Sequence, residues 1–192
     1  MKKIIITVLA ATSLLLYSTP SFALVSVSVG MPMGQNITGE TQSGTANAAD
    51  KPSGYFLGVS YLSIGLGMDS YTTKFKTGDC KGCWEAKVDA GLKTNMTNIF
   101  YQLPVPVVNL IIGLGTGTTE YVGTSEGKDF SNFFDKGSAT QWYASIGMPL
   151  IPFFDIHLSY RSITSKNIKH KSDGQIDDNS GSVTGLGLAF NF

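Results

Sequence analysis

Three groups of side chains in this 192-residue chain have the types and spacing to do chemistry. Cys80 and Cys83 form a Cys-Lys-Gly-Cys pair. In an exported chain such a pair can be a redox site, half a metal site or a small loop disulfide. A redox pair usually opens a helix, where the dipole favours the thiolate, whereas this one falls in a short connection between strands. There is no second such pair, and both histidines lie far along the chain, so a zinc site is poorly supported. A local disulfide between Cys80 and Cys83 is the expectation for an oxidising compartment. His157 and Ser159 stand two apart, which on a strand places base and hydroxyl on one face, with Asp155 as an acidic neighbour. The third group is a set of ionisable residues at alternate positions: Glu85, Lys87 and Asp89, then Asp155, His157 and Arg161.

The elements that must position them all have period two. The last residues, Ser182 to Phe192, read SVTGLGLAFNF, with Leu186, Leu188, Phe190 and Phe192 alternating with small or polar side chains. Leu24–Met33 sets Val25, Val27, Val29, Met31 and Met33 opposite serines and a glycine. Gly54 to about Leu62 does the same with Tyr55, Leu57, Val59 and Tyr61. A tight turn near Ser63–Gly65 leads to a weakly alternating strand from Leu66 to Lys76. A fourth strand opens with Trp84, Ala86, Val88, Ala90 and Leu92 on one face and Glu85, Lys87, Asp89 and Gly91 on the other. Its phase breaks across Thr94–Asn98, which predicts a β-bulge before Ile99-Phe100-Tyr101. Further strands run from Leu110 to about Tyr121, Ala139 to Met148 and Phe153 to about Ile168. The stretches Gly34–Pro52, Gly123–Gly137 and Lys169–Gly181 are long and polar, whereas the other connections are short.

The first 23 residues read as an address. Lys2 and Lys3 precede an apolar run, and Ser21-Phe22-Ala23 is a small-x-small cleavage site. The run is shorter than the roughly 20 residues a membrane-spanning helix needs. Cleavage after Ala23 leaves one domain, 24–192, whose loss of two lysines brings the formal charge from zero to −2. With no basic excess or patch, no nucleic-acid partner is expected. The 22 glycines and the 15% of charged residues suit an all-β chain with many turns.

Eight strands, an even number, with alternating long and short connections are the pattern of an all-β, eight-stranded antiparallel up-and-down transmembrane β-barrel. The ionisable residues Glu85, Lys87, Asp89, Asp155, His157 and Arg161 all sit opposite the apolar face, which carries no charge on the first, fourth and last three strands. That is expected if the apolar face meets lipid, where a midplane charge costs roughly 2–4 kcal/mol. Aromatics gather towards the ends: Tyr55, Trp84, Tyr121 and Trp142 by the long loops, and Phe100, Phe154 and Phe192 by the short turns. These are predicted to form two interfacial girdles. An eight-stranded interior is just wide enough for side chains to fill. A lumen network of Glu85, Lys87, Asp89, Asp155, His157 and Arg161 is therefore expected, with Arg161 paired to Asp89 or Glu85; an ion path is the alternative.

The chain resembles the eight-stranded outer-membrane β-barrel family of Gram-negative bacteria that includes opacity-like proteins and small barrels of the OmpX and OmpA type. GLGLAFNF is similar to the family's C-terminal assembly signal, through Gly187, Phe190 and Phe192. TNIFYQLPVPVVNLIIGLGTG resembles its strand–turn–strand unit, with Asn109-Leu110 in place of the common Pro-Tyr, and GYFLGVSYLSIGLGMDSYTT resembles its second hairpin. The resemblance implies an outer-membrane location and, as partners, outer-membrane lipid and lipopolysaccharide, the barrel-assembly machinery and periplasmic chaperones. It also leaves room for a host or surface ligand on the long loops, among whose residues Phe130, Phe133 and Phe134 could pack on the rim or form an adhesive patch. No cofactor, no metal and a monomer are expected. Lipid A deacylases of the same barrel type use a His-x-Ser arrangement, but Tyr160-Arg161 follows Ser159 here, and Ile156, Leu158 and Tyr160 claim the lipid side. His157 and Ser159 should then face the lumen, beyond reach of lipid. The expectation is a non-enzymatic barrel for envelope structure or surface contact, with a narrow pore or a lipid A-modifying enzyme as alternatives.

Overall fold

The computed structural model describes residues 24–39, 50–75, 89–103, 105, 108–125, 128–151 and 153–192. Among them run eight long strands: β1 (Val25–Ile37), β2 (Ser53–Tyr61), β3 (Ile64–Lys74), β4 (Asp89–Leu103), β5 (Asn109–Ser125), β6 (Gly137–Ile151), β7 (Phe154–Thr164) and β8 (Gly181–Asn191). Each pairs antiparallel with its neighbours in sequence, and β1 pairs with β8, which closes the sheet into a barrel. Closure removes both open edges, a requirement inside lipid, where no water can satisfy unpaired backbone groups. The seam runs from Ser26 opposite Asn191 to Ile37 opposite Gly181. Beyond it the main chains of Val25 and Phe192 exchange two hydrogen bonds, at 3.1 and 2.8 Å.

The β2–β3 hairpin turns on Leu62 and Ser63, one residue earlier than expected, with φ of 48° and 73°. That is the left-handed pair of a type I′ turn, whose twist matches the flanking strands. The bulge expected at Thr94–Asn98 is absent: β4 keeps unbroken register with both β3 and β5. Register shifts occur at Pro32/Gly34 in β1 and Pro149/Ile151 in β6, where a proline cannot donate to the ladder. The first of these switches the phase of β1. Ser26 and Pro32 are buried on the even side before it, and Ile37 is buried on the odd side after it.

Outside, the barrel carries a band of exposed apolar side chains, including Val29, Met31, Leu57, Leu66, Ile112, Ile146 and Leu158. The interior faces carry the polar and charged residues: Asp69, Asn98, Gln141, Asp155, His157 and Arg161 are all buried. An apolar exterior around a polar interior inverts the arrangement of a water-soluble protein and is the signature of a barrel solvated by lipid. Three expected orientations are corrected. Leu92 is 1% exposed and belongs to the interior, as do Phe100 and Tyr121. On β4 the interior residues are Leu92, Thr94, Met96, Asn98 and Phe100. At that height the interior holds the apolar cluster of Leu92 with Ile37 and Ile168, and the next residue, Lys93, is partly exposed and paired with Glu120, so the rule that apolar points outward no longer holds. Of the aromatics expected at the two girdles, Tyr55, Trp142 and Phe192 are exposed on the outer face, where Tyr160 and the turn-side Tyr61, Tyr101 and Phe153 join them.

Candidate functional site

The lumen is filled in three tiers. At the turn end, Asp155 from β7 accepts hydrogen bonds from the side-chain amides of Asn109 and of Asn191, the latter at 2.7 Å. Gln102 bonds Asn109 at 3.1 Å, and His157 Nε2 lies 3.9 Å from the Asp155 carboxylate. His157 Nδ1 shares a 3.3 Å hydrogen bond with the Ser145 hydroxyl. Period two places Asp155, His157, Ser159 and Arg161 on one side of β7, so one strand lines most of the lumen's height.

The middle tier centres on Asp69 and Arg161. The guanidinium Nε donates to Asp69 Oδ2 at 3.0 Å, and Nη2 lies 3.4 Å from Oδ1. The same Oδ2 accepts the amide of Asn98 at 3.0 Å and that of Gln141 at 2.7 Å. Nη1 donates to Ser159 Oγ, which itself donates to the Gly185 carbonyl at 3.3 Å. The guanidinium plane rests on the Phe56 ring, 3.5 Å from its centroid, with Tyr143 at 5.0 Å. Arg161 is 5% exposed and Asp69 2%, and charges so buried are retained only when paired and hydrogen-bonded. Glycines on the inward faces make room for this filling. A Cβ on Gly65 would meet the Phe100 ring at 2.1 Å, and one on Gly113 would meet Tyr143 at 2.3 Å. The remaining space beside Arg161 is a cavity of about 60 Å³ touched by Asp69, Ser145, His157 and Ser159, room for a handful of waters.

Above this the interior turns apolar. Ile37, Leu92 and Ile168 form a buried cluster against Phe75, Tyr121 and Phe134. Ile168 comes from a short hairpin, Ile168–Lys169 with Ile176–Asp177, in the last long loop. The hairpin is tied to the wall where the Tyr121 hydroxyl donates to Asp177 at 3.1 Å, and to the preceding loop by backbone bonds Asp135 to Lys169 (2.8 Å) and Lys171 to Phe133 (2.9 Å). The Phe134 ring packs on His170 at 4.3 Å, and Phe130 packs on Phe134, while Phe133 stays exposed. Two long loops thus form a cap over the loop end of the barrel.

Of the residues expected to carry chemistry, Asp155, His157 and Arg161 lie in the lumen. Arg161 takes Asp69 as its partner, in place of the expected Asp89 or Glu85. Asp69 was missed because β3 alternates isoleucine, leucine and methionine with glycine, a weak contrast until its phase is known. Asn98, Gln141 and Asn109 were missed for a different reason, since neutral amides give no charge signal. Cys80, Cys83, Glu85 and Lys87 lie outside the described residues, as does Trp84; Asp89 begins β4. His157 and Ser159 share the lumen side but make separate bonds, to Ser145 and to Arg161 with Gly185. Of the C-terminal trio, Gly187 pairs with Gly30 across the seam, Phe190 packs against Phe154 with the rings tilted and their centroids 4.4 Å apart, and Phe192 is exposed at the turn rim.

The chain is therefore a small eight-stranded barrel of the outer-membrane type. Among solved structures it is similar to Neisserial surface protein A, at a TM-score of 0.61 and 12% identity over 88% of this chain and 96% of that one. It is also similar to the outer membrane protein W of E. coli, at a TM-score of 0.53 and 11% identity over 88% and 98%. At such identities the likeness is one of fold. No protein-family model matches the sequence, and no curated protein sequence matches it.

Proposed function

We propose that the protein is an integral outer-membrane barrel, a monomer with a side-chain-filled lumen, that serves envelope structure and surface contact through its long loops. The observation that carries this reading is the division of labour along the axis. The wall is apolar outside, and the lumen is occupied by the Asp69–Arg161 network. The loop end is built up by 128–136 and 165–180 into a packed cap that leaves Phe133 exposed. Loops held on a rigid scaffold are where binding residues concentrate. The engaged state of the Ser159 hydroxyl supports a structural role for it over a nucleophilic one, and the lumen filling favours a plug over an ion path.

Cells displaying the protein are compared with cells displaying a form with 129–135 and 168–177 each replaced by a short Gly/Ser turn, in binding to host matrix and host cells. Loss of binding with the barrel still folded is expected; equal binding by both forms refutes loop-borne contact. Planar-bilayer recordings are expected to show no large stable openings, and such openings would overturn the filled-lumen reading.

A further inference from the structure

The outer face of β4, β5 and β6 changes character in register. Ile99, Leu114 and Trp142 stand opposite one another on the three strands and point outward. Beside them lies an open apolar groove of about 590 Å³, bounded by Ile64, Ile99, Tyr101, Leu114 and Trp142 and floored by Ala144, within the ~300–1,000 Å³ of typical ligand clefts. Ala144 opens it, as the one small outward side chain between Trp142 and Ile146 on β6. Towards the loops the next two outward rows are Thr97, Thr116 and Thr140, then Asn95, Thr118 and Ser138. The row above holds Lys93 and Glu120, which are paired in register, and Lys136 just before β6. Glu120 lies 2.8 Å from Lys136 Nζ and 3.8 Å from Lys93 Nζ, and so holds two ammonium groups side by side with a net charge of +1.

We infer that this wall is a binding site for one phosphorylated, sugar-headed lipid of the outer leaflet. Its phosphate sits at Lys93 and Lys136, its sugar and ester or amide groups on the hydroxyl ladder, and one acyl chain in the groove. The inference rests on the outer-membrane reading and adds to it a particular ligand and place. The spacing fits. Six residues separate each groove residue from the charged row, about 20 Å along a strand at ~3.3 Å per residue. With the ~40° tilt of such barrels, that is about 15 Å along the membrane normal, roughly half the ~30 Å hydrocarbon core. A phosphate at the lysines therefore puts the acyl chain of the same molecule at the groove. The polarity order of the wall, cationic then hydroxyl then apolar, is the order of such a lipid read from headgroup to tail. A plain anionic diacyl lipid has no sugar to place against two rows of threonine, serine and asparagine.

The test is native mass spectrometry of the folded full chain in micelles, with bisphosphorylated lipid A, its dephosphorylated form and phosphatidylglycerol as probes. Wild type is expected to retain one bisphosphorylated lipid A through detergent removal. Retention should fall at least tenfold for dephosphorylated lipid A, for phosphatidylglycerol and for the K93A/K136A double variant. Ala144→Phe fills the groove with the lysines intact and should lower retention comparably. Heat-modifiable migration on gels verifies that each variant is folded. Unchanged retention in K93A/K136A or in Ala144→Phe overturns the site, and so does equal retention of phosphatidylglycerol. A barrel that folds and inserts but selects no lipid sinks this inference alone, whereas failure to insert into bilayers at all sinks the outer-membrane reading.

Discussion

Removing the Asp69 carboxylate should cost far more than one ion pair. In Asp69→Ala, Arg161 loses its counter-charge, and the amides of Asn98 and Gln141 lose the acceptor they share at 3.0 and 2.7 Å. Breaking a buried pair from one side costs about 3–5 kcal/mol, and each orphaned buried donor adds about 1–3 kcal/mol. Relaxation into the adjacent cavity of about 60 Å³ offsets part of this, so about 4–6 kcal/mol is expected by the same reckoning. Arg161→Ala leaves Asp69 with both amide donors and should cost less, about 3 kcal/mol. The double variant should be little worse than Asp69→Ala alone, because the second truncation removes the stranded charge. Urea unfolding in lipid vesicles, followed by gel mobility and Trp fluorescence, measures all three. Single-variant losses of about 1 kcal/mol or less would mean a hydrated, weakly coupled pair, and strict additivity in the double would refute the shared network.

Deleting Phe192 removes two main-chain hydrogen bonds with Val25 at the seam; periplasmic export should persist while heat-modifiable barrel yield falls, and normal yield would count against the seam argument. Gly65→Ala should destabilise by about 1–3 kcal/mol through overpacking against Phe100, and the addition of Phe100→Leu should restore most of the loss in the same unfolding assay. Leu114→Arg places a charge on the apolar band and should cost about 2–4 kcal/mol, whereas Thr118→Arg, two rows nearer the loops, should cost about 1 kcal/mol or less; equal costs at the two positions would refute this placement of the band. Ile168→Ala hollows the cap cluster and should speed protease cleavage within 165–180 while the barrel itself resists; unchanged cleavage would show that the hairpin is held by its backbone bonds alone.

The local pattern was enough for the fold because period two is written into each strand separately. Trp142, Ala144, Ile146 and Met148 against Gln141, Tyr143, Ser145 and Gly147 needs no partner to be read, and the structure keeps every one of those faces. The same is true of Asp155, His157, Ser159 and Arg161. The pattern misled wherever its meaning depended on height above the membrane. Leu92 and Tyr121 are apolar or aromatic residues on strand ends that rise past the lipid band, where burial means facing the cap. Period two cannot say where lipid stops.

Strand existence, the even count, and which face of most strands is apolar followed from the sequence by itself, because side-chain alternation is a property of one extended chain. Which charges meet followed only from the closed barrel. Asp69 and Arg161 stand 92 positions apart, and no local rule pairs them. Closure of β1 on β8 and the register of β3 bring them across one lumen. The low dielectric inside then leaves a buried guanidinium little choice but the carboxylate facing it.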